Sequence, residues 1–172
     1  MSKNASVLYI WQPGCLFKRN CLNENAMETK AGTTTLRILH LEDNPADAML
    51  VRDQLADDAL AAEIHHVARR DEFIAALDHG RWDLILADYR LPDFTGLDAL
   101  KLVRKRWSSL PFILISGTIG EQAAIDSLKA GATDYVLKQQ RDRLPAAVRR
   151  AVAEAAERAR REAAEEDMRR SE

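Results

Sequence analysis

An α/β fold built on a parallel sheet is predicted by three features of this sequence. From Leu36 onward, short apolar runs of strand length alternate with segments of helical period. Runs such as LILA and FILI are continuously apolar, as required when helices cover both faces of a sheet. Helix start and stop signals fall between the runs, so the chain repeats βα units, which connect by right-handed crossovers.

The elements follow in order. Residues 1–35 have no sustained period and read as a poorly ordered arm, within which Met27 opens a second candidate start, METKAGTTT. The first strand is expected over Leu36–Leu41, and Asn44-Pro45 supplies an N-cap and a first-turn proline for the helix after it. Glu63–Val67 reads as the second strand, and Gly80 ends the helix that follows. Leu84–Ala87 is the third, followed by a helix opened by a capping box of Thr95 and Asp98. Phe112–Ile115 is the fourth, its helix ending at Gly131, and Tyr135–Leu137 is the fifth. A last helix begins near Asp142 and runs to the C-terminus on Ala, Glu and Arg, longer than a compact domain needs. Leu144, Val148 and Val152 should pack it on the sheet, whereas the apolar positions beyond are mostly alanine. The division expected is an arm over 1–35, a domain over 36–153 and a helical extension or linker over 154–172.

Charge and composition exclude several functions. Lysine plus arginine number 25 against 27 aspartates and glutamates, so no basic field exists to hold nucleic acid. No stretch reaches the ~20 apolar residues that span a bilayer, and Val7–Trp11 is broken by Pro13 and Gly14 before it can form a signal-peptide core. A cytoplasmic place and no membrane partner are expected. Cys15 and Cys21 lack a second pair or nearby histidines for a zinc site. His40, His65, His66 and His79 have no ligand spacing and read as partly exposed or hydrogen-bonded imidazoles.

The chemistry lies at the strand ends, where open parallel sheets bind ligands. Glu42 and Asp43 follow the first strand and Asp88 the third. If those strands are neighbours, their carboxylates converge and repel unless a cation neutralises them, and Mg²⁺ suits such oxygen ligands. Ser116 and Lys138 end the fourth and fifth strands, bringing a hydroxyl and an ammonium to the same rim. A carboxylate nucleophile, a metal, a hydroxyl and a cation are the parts that form and stabilise an aspartyl phosphate.

The segments HLEDN, LILADYRLPDFTG, FILISGT and AGATDYVLK, in that order, resemble the signature blocks of response-regulator receiver domains from two-component signalling. The resemblance covers Leu36 to the early part of the last helix. It implies a flavodoxin-like (βα)5 domain with strand order 2-1-3-4-5 and, here, a C-terminally extended last helix. It also implies a phosphoacceptor signalling domain rather than an enzyme, with Asp88 as phosphoacceptor and Mg²⁺ held by Asp43, Asp88, the Arg90 backbone carbonyl and, through water, Glu42. Ser116 resembles the switch hydroxyl, Lys138 the lysine that pairs with the phosphoryl group, and Tyr135 the aromatic switch residue. The implied partners are a histidine kinase or histidine phosphotransfer protein and an output protein of unknown identity. A weak homodimer through the extended helix is a further expectation.

The family usually places proline in a cis bond after the lysine; here Gln139 stands there. Arg90 and Thr118, two positions after Asp88 and Ser116, are unsuited to orienting a water, so slow loss of the phosphoryl group is expected. Two other readings compete. The chain resembles receivers joined to sensory modules and would then be a piece of a larger sensor kinase or cyclase. A Mg²⁺-dependent phosphohydrolase with an aspartate nucleophile is disfavoured, because Arg90 stands where haloacid-dehalogenase-type phosphatases place a second aspartate.

Overall fold

The computed structural model describes residues 35–117 and 120–171. Cys15, Cys21, Met27, Thr118 and all of the expected N-terminal arm except Thr35 lie outside these residues.

Five parallel strands form one sheet in the order β2-β1-β3-β4-β5. They are β1 (Leu36–Leu41), β2 (Ala62–Val67), β3 (Leu84–Asp88), β4 (Phe112–Ser116) and β5 (Asp134–Leu137). Between them run α1 (Pro45–Asp57), α2 (Arg70–His79), α3 (Gly96–Arg106) and α4 (Glu121–Lys129). A 3₁₀ turn over Lys138–Arg143 then leads into α5 (Leu144–Ser171).

All five residues of β3 and of β4 are buried, which explains why their sequences do not alternate. The two faces divide cleanly. On one, Leu39, Leu41, Ile85, Ala87 and Leu114 pack against Phe73 and Leu77 of α2 and Ala99, Leu100 and Val103 of α3. On the other, Ile38, Leu86, Ile113 and Val136 pack against Val51 and Leu55 of α1 and Leu144, Val148 and Ala151 of α5. Burial of each large aliphatic side chain contributes about 1.5–3 kcal/mol, so the alternating faces hold the strand register firmly.

The expected caps form. Asn44 accepts from the Ala46 N–H, and Thr95 and Asp98 build a reciprocal capping box. Gly80 caps α2, and Gly131, just past the α4 cap, takes φ +101°, a conformation that favours glycine. The last helix starts at Leu144 rather than near Asp142, because Gln140 is non-helical (φ −118°, ψ 38°) and the chain tightens into the 3₁₀ turn first. No described peptide bond is cis, so Lys138 and Gln139 are joined by a trans bond.

Register fixes the rim. Asp88 pairs with Ile115 and Ser116 with Leu137, so Asp88, Ser116 and Lys138 lie at one edge of three adjacent strands. β1 lies beside β3, which brings Glu42 to the same edge.

Candidate functional site

Asp88 is the last residue of β3 and is nearly buried. Its Oδ1 accepts from the Arg90 N–H at 3.0 Å, and its Oδ2 accepts from Lys138 Nζ at 2.5 Å. The two oxygens are thus held by different donors, which fixes the plane of the carboxylate. Gly96 lets this happen, since a Cβ there would come within 2.4 Å of the Asp88 carbonyl and 2.6 Å of Leu114 Cδ2. The Gly96 N–H donates to the Tyr89 carbonyl, and Arg90 bridges to Thr95, closing the β3–α3 loop over the strand end.

Glu42 is fully buried just past β1. Its Oε1 accepts from the Asn44 N–H at 3.0 Å and its Oε2 from Lys138 Nζ at 2.8 Å. Burial pushes its carboxyl up to about 7, and these hydrogen bonds only partly offset that cost. Asp43 is exposed, yet one oxygen each from Glu42, Asp43 and Asp88 lie within 4.8 Å of one another. Three hard oxygen donors so placed fit Mg²⁺, which binds through few carboxylates and keeps several waters.

Lys138 follows β5 and reaches back across the rim. Besides Glu42 and Asp88, its ammonium donates to Asp47 Oδ2 at 2.6 Å. Burial alone would lower the pKa of this amine, but hydrogen bonds to Asp47, Asp88 and Glu42 outweigh it and raise it. Lys138 is therefore a fixed positive charge in an acidic cleft.

The structure brings together Glu42, Asp43, Asp88 and Lys138 as expected, and it adds Asp47. Sequence reasoning passed over Asp47 because an acidic residue in the first turn of a helix is ordinary dipole compensation. Its place in the first helical turn after the acidic pair Glu42-Asp43 was the available signal. Ser116 is buried at the end of β4. Tyr135 is half-buried against the α2–α3 face, its ring 6.5 Å from that of Tyr89 and edge-on to it. Arg90 holds Asp88 through its N–H, while its side chain is exposed.

The histidine expectation needs correcting at one position. His40 is buried on β1, and neither ring nitrogen has a hydrogen-bond partner. Burial, with His66 and Lys138 adding to it, pushes its imidazole down to about 3. His66, its register partner on β2, does bond, its Nε2 lying 2.6 Å from the Glu42 carbonyl oxygen. Beside Asp43 a cavity of about 330 Å³ opens, lined by Arg69, Arg70, Leu91, Pro92 and Phe94 among others.

Comparison with known proteins points one way. A family model described as the response regulator receiver domain matches residues 38–149. The luminescence regulatory protein LuxO of Vibrio campbellii is 34% identical over 116 residues, which cover 67% of this chain and 25% of LuxO. The methanogenesis regulatory protein FilR1 of Methanothrix harundinacea is 32% identical over 105 residues, or 59% of this chain and 24% of FilR1. The chain thus spans about a quarter of the length of these relatives. Among solved structures, the receiver domain of the sensor histidine kinase PA1611 from Pseudomonas aeruginosa has magnesium coordinated in its active-site cleft. It superposes with a TM-score of 0.61 at 25% identity, covering 70% of this chain and 99% of that one. The signal receiver domain of a Vibrio parahaemolyticus protein described as a LuxO repressor gives 0.65 at 25% identity, over 72% and 94% of the two chains.

Proposed function

Because the chain belongs to the response regulator receiver domain family, we propose that it is the phosphoacceptor of a two-component relay and is modified on Asp88. Receiver domains of this family work with histidine kinases and output domains. The donor for this chain would be a histidine kinase or a histidine phosphotransfer protein. The observation that carries the reading is the carboxylate of Asp88, held at the focus of Lys138, the Arg90 N–H and the neighbouring oxygens of Glu42 and Asp43.

An Asp88 oxygen attacks phosphorus in line. The O–P bond forms as the donor's N–P bond breaks, and the electron pair returns to the imidazole nitrogen. Mg²⁺, held by Asp43, Asp88, the Arg90 carbonyl and, through water, Glu42, would offset the charge of the carboxylates and the phosphoryl oxygens. Lys138 supplies the protein's own counter-charge to the product. Ser116 turns its hydroxyl to a phosphoryl oxygen, and Tyr135 follows by changing its packing, which alters the surface offered to an output protein. The exposed Arg90 side chain screens the acyl phosphate from water and slows its loss.

The working division is a receiver over 36–153 and a helical extension over 154–172 that pairs weakly with a second copy. That no described helix is long and apolar enough to cross a membrane is compatible with a cytoplasmic place. A receiver segment of a longer protein is the second reading, favoured by the quarter of its relatives' length that the chain spans.

Mass spectrometry after incubation with acetyl phosphate tests the central point. Wild type should gain one phosphoryl group only with Mg²⁺, and Asp88→Asn none. Equal labelling of the two would remove Asp88 from the mechanism.

A further inference from the structure

Asp47 stands apart from the other carboxylates that touch Lys138. Among the described residues, the ion pairs of Lys138 run to Glu42, Asp47 and Asp88, at 2.8, 2.6 and 2.5 Å. An ammonium has three N–H donors, so all of them are engaged. Two of the three partners, Glu42 and Asp88, also belong to the oxygen trio suited to a divalent ion, whereas Asp47 does not. A cation bound there would repel the ammonium, and Glu42 and Asp88 would have to share their oxygens between the two. Lys138 would then lose much of its hold on Glu42 and Asp88 at the moment its charge is needed for an incoming phosphoryl group.

Asp47 is built to keep that hold. Its backbone sits in the first turn of α1, fixed by the Asn44 cap and Pro45, and its short side chain leaves the carboxylate little room to wander. It is a quarter exposed, so part of its carboxylate stays in contact with solvent. We propose that Asp47 is a positioning residue for Lys138, retaining the ammonium at the rim of the cleft when a cation and a phosphoryl group engage Glu42, Asp43 and Asp88. Without Asp47, the four-carbon stem of Lys138 regains rotamer freedom and its charge is spread into solvent. This role rests on the phosphoacceptor reading of the site.

Charge alone predicts the opposite of positioning, and the two separate cleanly. Removing a negative charge from a site that receives an anion should tighten anion binding. Loss of the anchor should weaken it. The test is titration of the full chain with beryllofluoride in the presence of Mg²⁺, followed by amide chemical shifts. Asp47→Asn should bind roughly tenfold more weakly, the lower end of what a charge-assisted hydrogen bond contributes. Asp47→Glu should recover part of the loss, and in a Lys138→Ala background Asp47→Asn should cause none. Thermal unfolding of the metal-free proteins identifies any variant that is merely misfolded, and the Asp47→Glu comparison then carries the test. Unchanged or tighter binding by Asp47→Asn, or an equal loss in the Lys138→Ala background, overturns the role of Asp47. Wild type that takes no beryllofluoride at all overturns the phosphoacceptor reading and this role with it.

Discussion

The side-chain amide of Gln139 donates to the carbonyl oxygen of Gly117 at 2.7 Å, tying the residue after Lys138 to the residue after Ser116. Where the family resemblance implies a proline, this chain has a side-chain clamp between the loops that follow β4 and β5. The bond is exposed, so its net contribution is about 0.5–1.5 kcal/mol. Gln139→Met keeps the length and loses the bond, and its unfolding free energy from urea denaturation should fall by that amount. Gln139→Glu should fall further, because an ionised carboxylate has no N–H to give and faces the Gly117 carbonyl as a second acceptor. If Glu proved as stable as Gln, the clamp would contribute nothing to stability.

Gly96 is the second position where one atom decides the outcome. An added Cβ meets the Asp88 carbonyl and Leu114 Cδ2, and a backbone carbonyl cannot swing aside as the end of a long side chain can. Gly96→Ala should therefore destabilise the fold by about 1–3 kcal/mol, as overpacking does. It should also weaken beryllofluoride binding, since the displaced backbone carries Asp88 with it. A Gly96→Ala protein with wild-type melting temperature and wild-type binding would show that the loop relaxes freely.

His40 links stability to pH. Its folded value of about 3 lies below the ordinary 6.5, so the folded state binds fewer protons than the unfolded chain between those limits. Stability from this group is lost as pH falls through that window. Glu42 acts in the opposite sense, because its value rises from 4.5 to about 7 and its contribution is lost as pH rises through that interval. The two offset each other where the windows overlap. His40→Leu removes two unpartnered buried nitrogens and one of the opposing slopes. It should raise stability by about 1–3 kcal/mol in neutral solution and by more near pH ~5. Urea denaturation at the two pH values measures both effects; identical pH slopes for the two proteins would exclude His40 as an acid-sensitive group.

These residues also mark what the sequence made legible. Asp88, Ser116 and Lys138 could be found because each sits at the end of an apolar run, and parallel strands bring their ends to one rim. Glu42 and Asp43 were legible in the same way. Asp47 was not, because its partner lies 91 residues away and its local setting, a capped first helical turn, already accounts for an acid there. His40 was hidden because β1 was placed correctly while the burial of its α1-facing side depends on α1 and α5, elements remote in sequence. The Gln139 clamp was hidden for a related reason: the departure from proline was visible, but the acceptor is a backbone atom 22 residues earlier.

The last prediction concerns α5, whose 28 residues divide by environment. Leu144, Pro145, Ala147, Val148 and Ala151 are buried, and Val152 packs partly beside them. From Arg160 to Ser171 every residue is exposed. Among the described residues, the ion pairs at this end of the helix are local: Glu157 pairs with Arg160 and Arg161, and Glu166 with Arg170, all in exposed positions. Such pairs add about 0.2–0.5 kcal/mol each, too little to sustain a helix of this length alone and too little to matter to the domain's core. A chain ending at Ala153 should therefore keep its unfolding free energy within about 1 kcal/mol of the full chain. The larger effect is expected on association. If the extension pairs two copies after phosphorylation, beryllofluoride with Mg²⁺ should raise the sedimentation mass of the full chain and leave that of the shortened chain unchanged. A mass that changes in both, or in neither, shows that the extension is not the phosphorylation-sensitive pairing element, and a stability loss well beyond ~1 kcal/mol would place residues 154–172 within the folding domain itself.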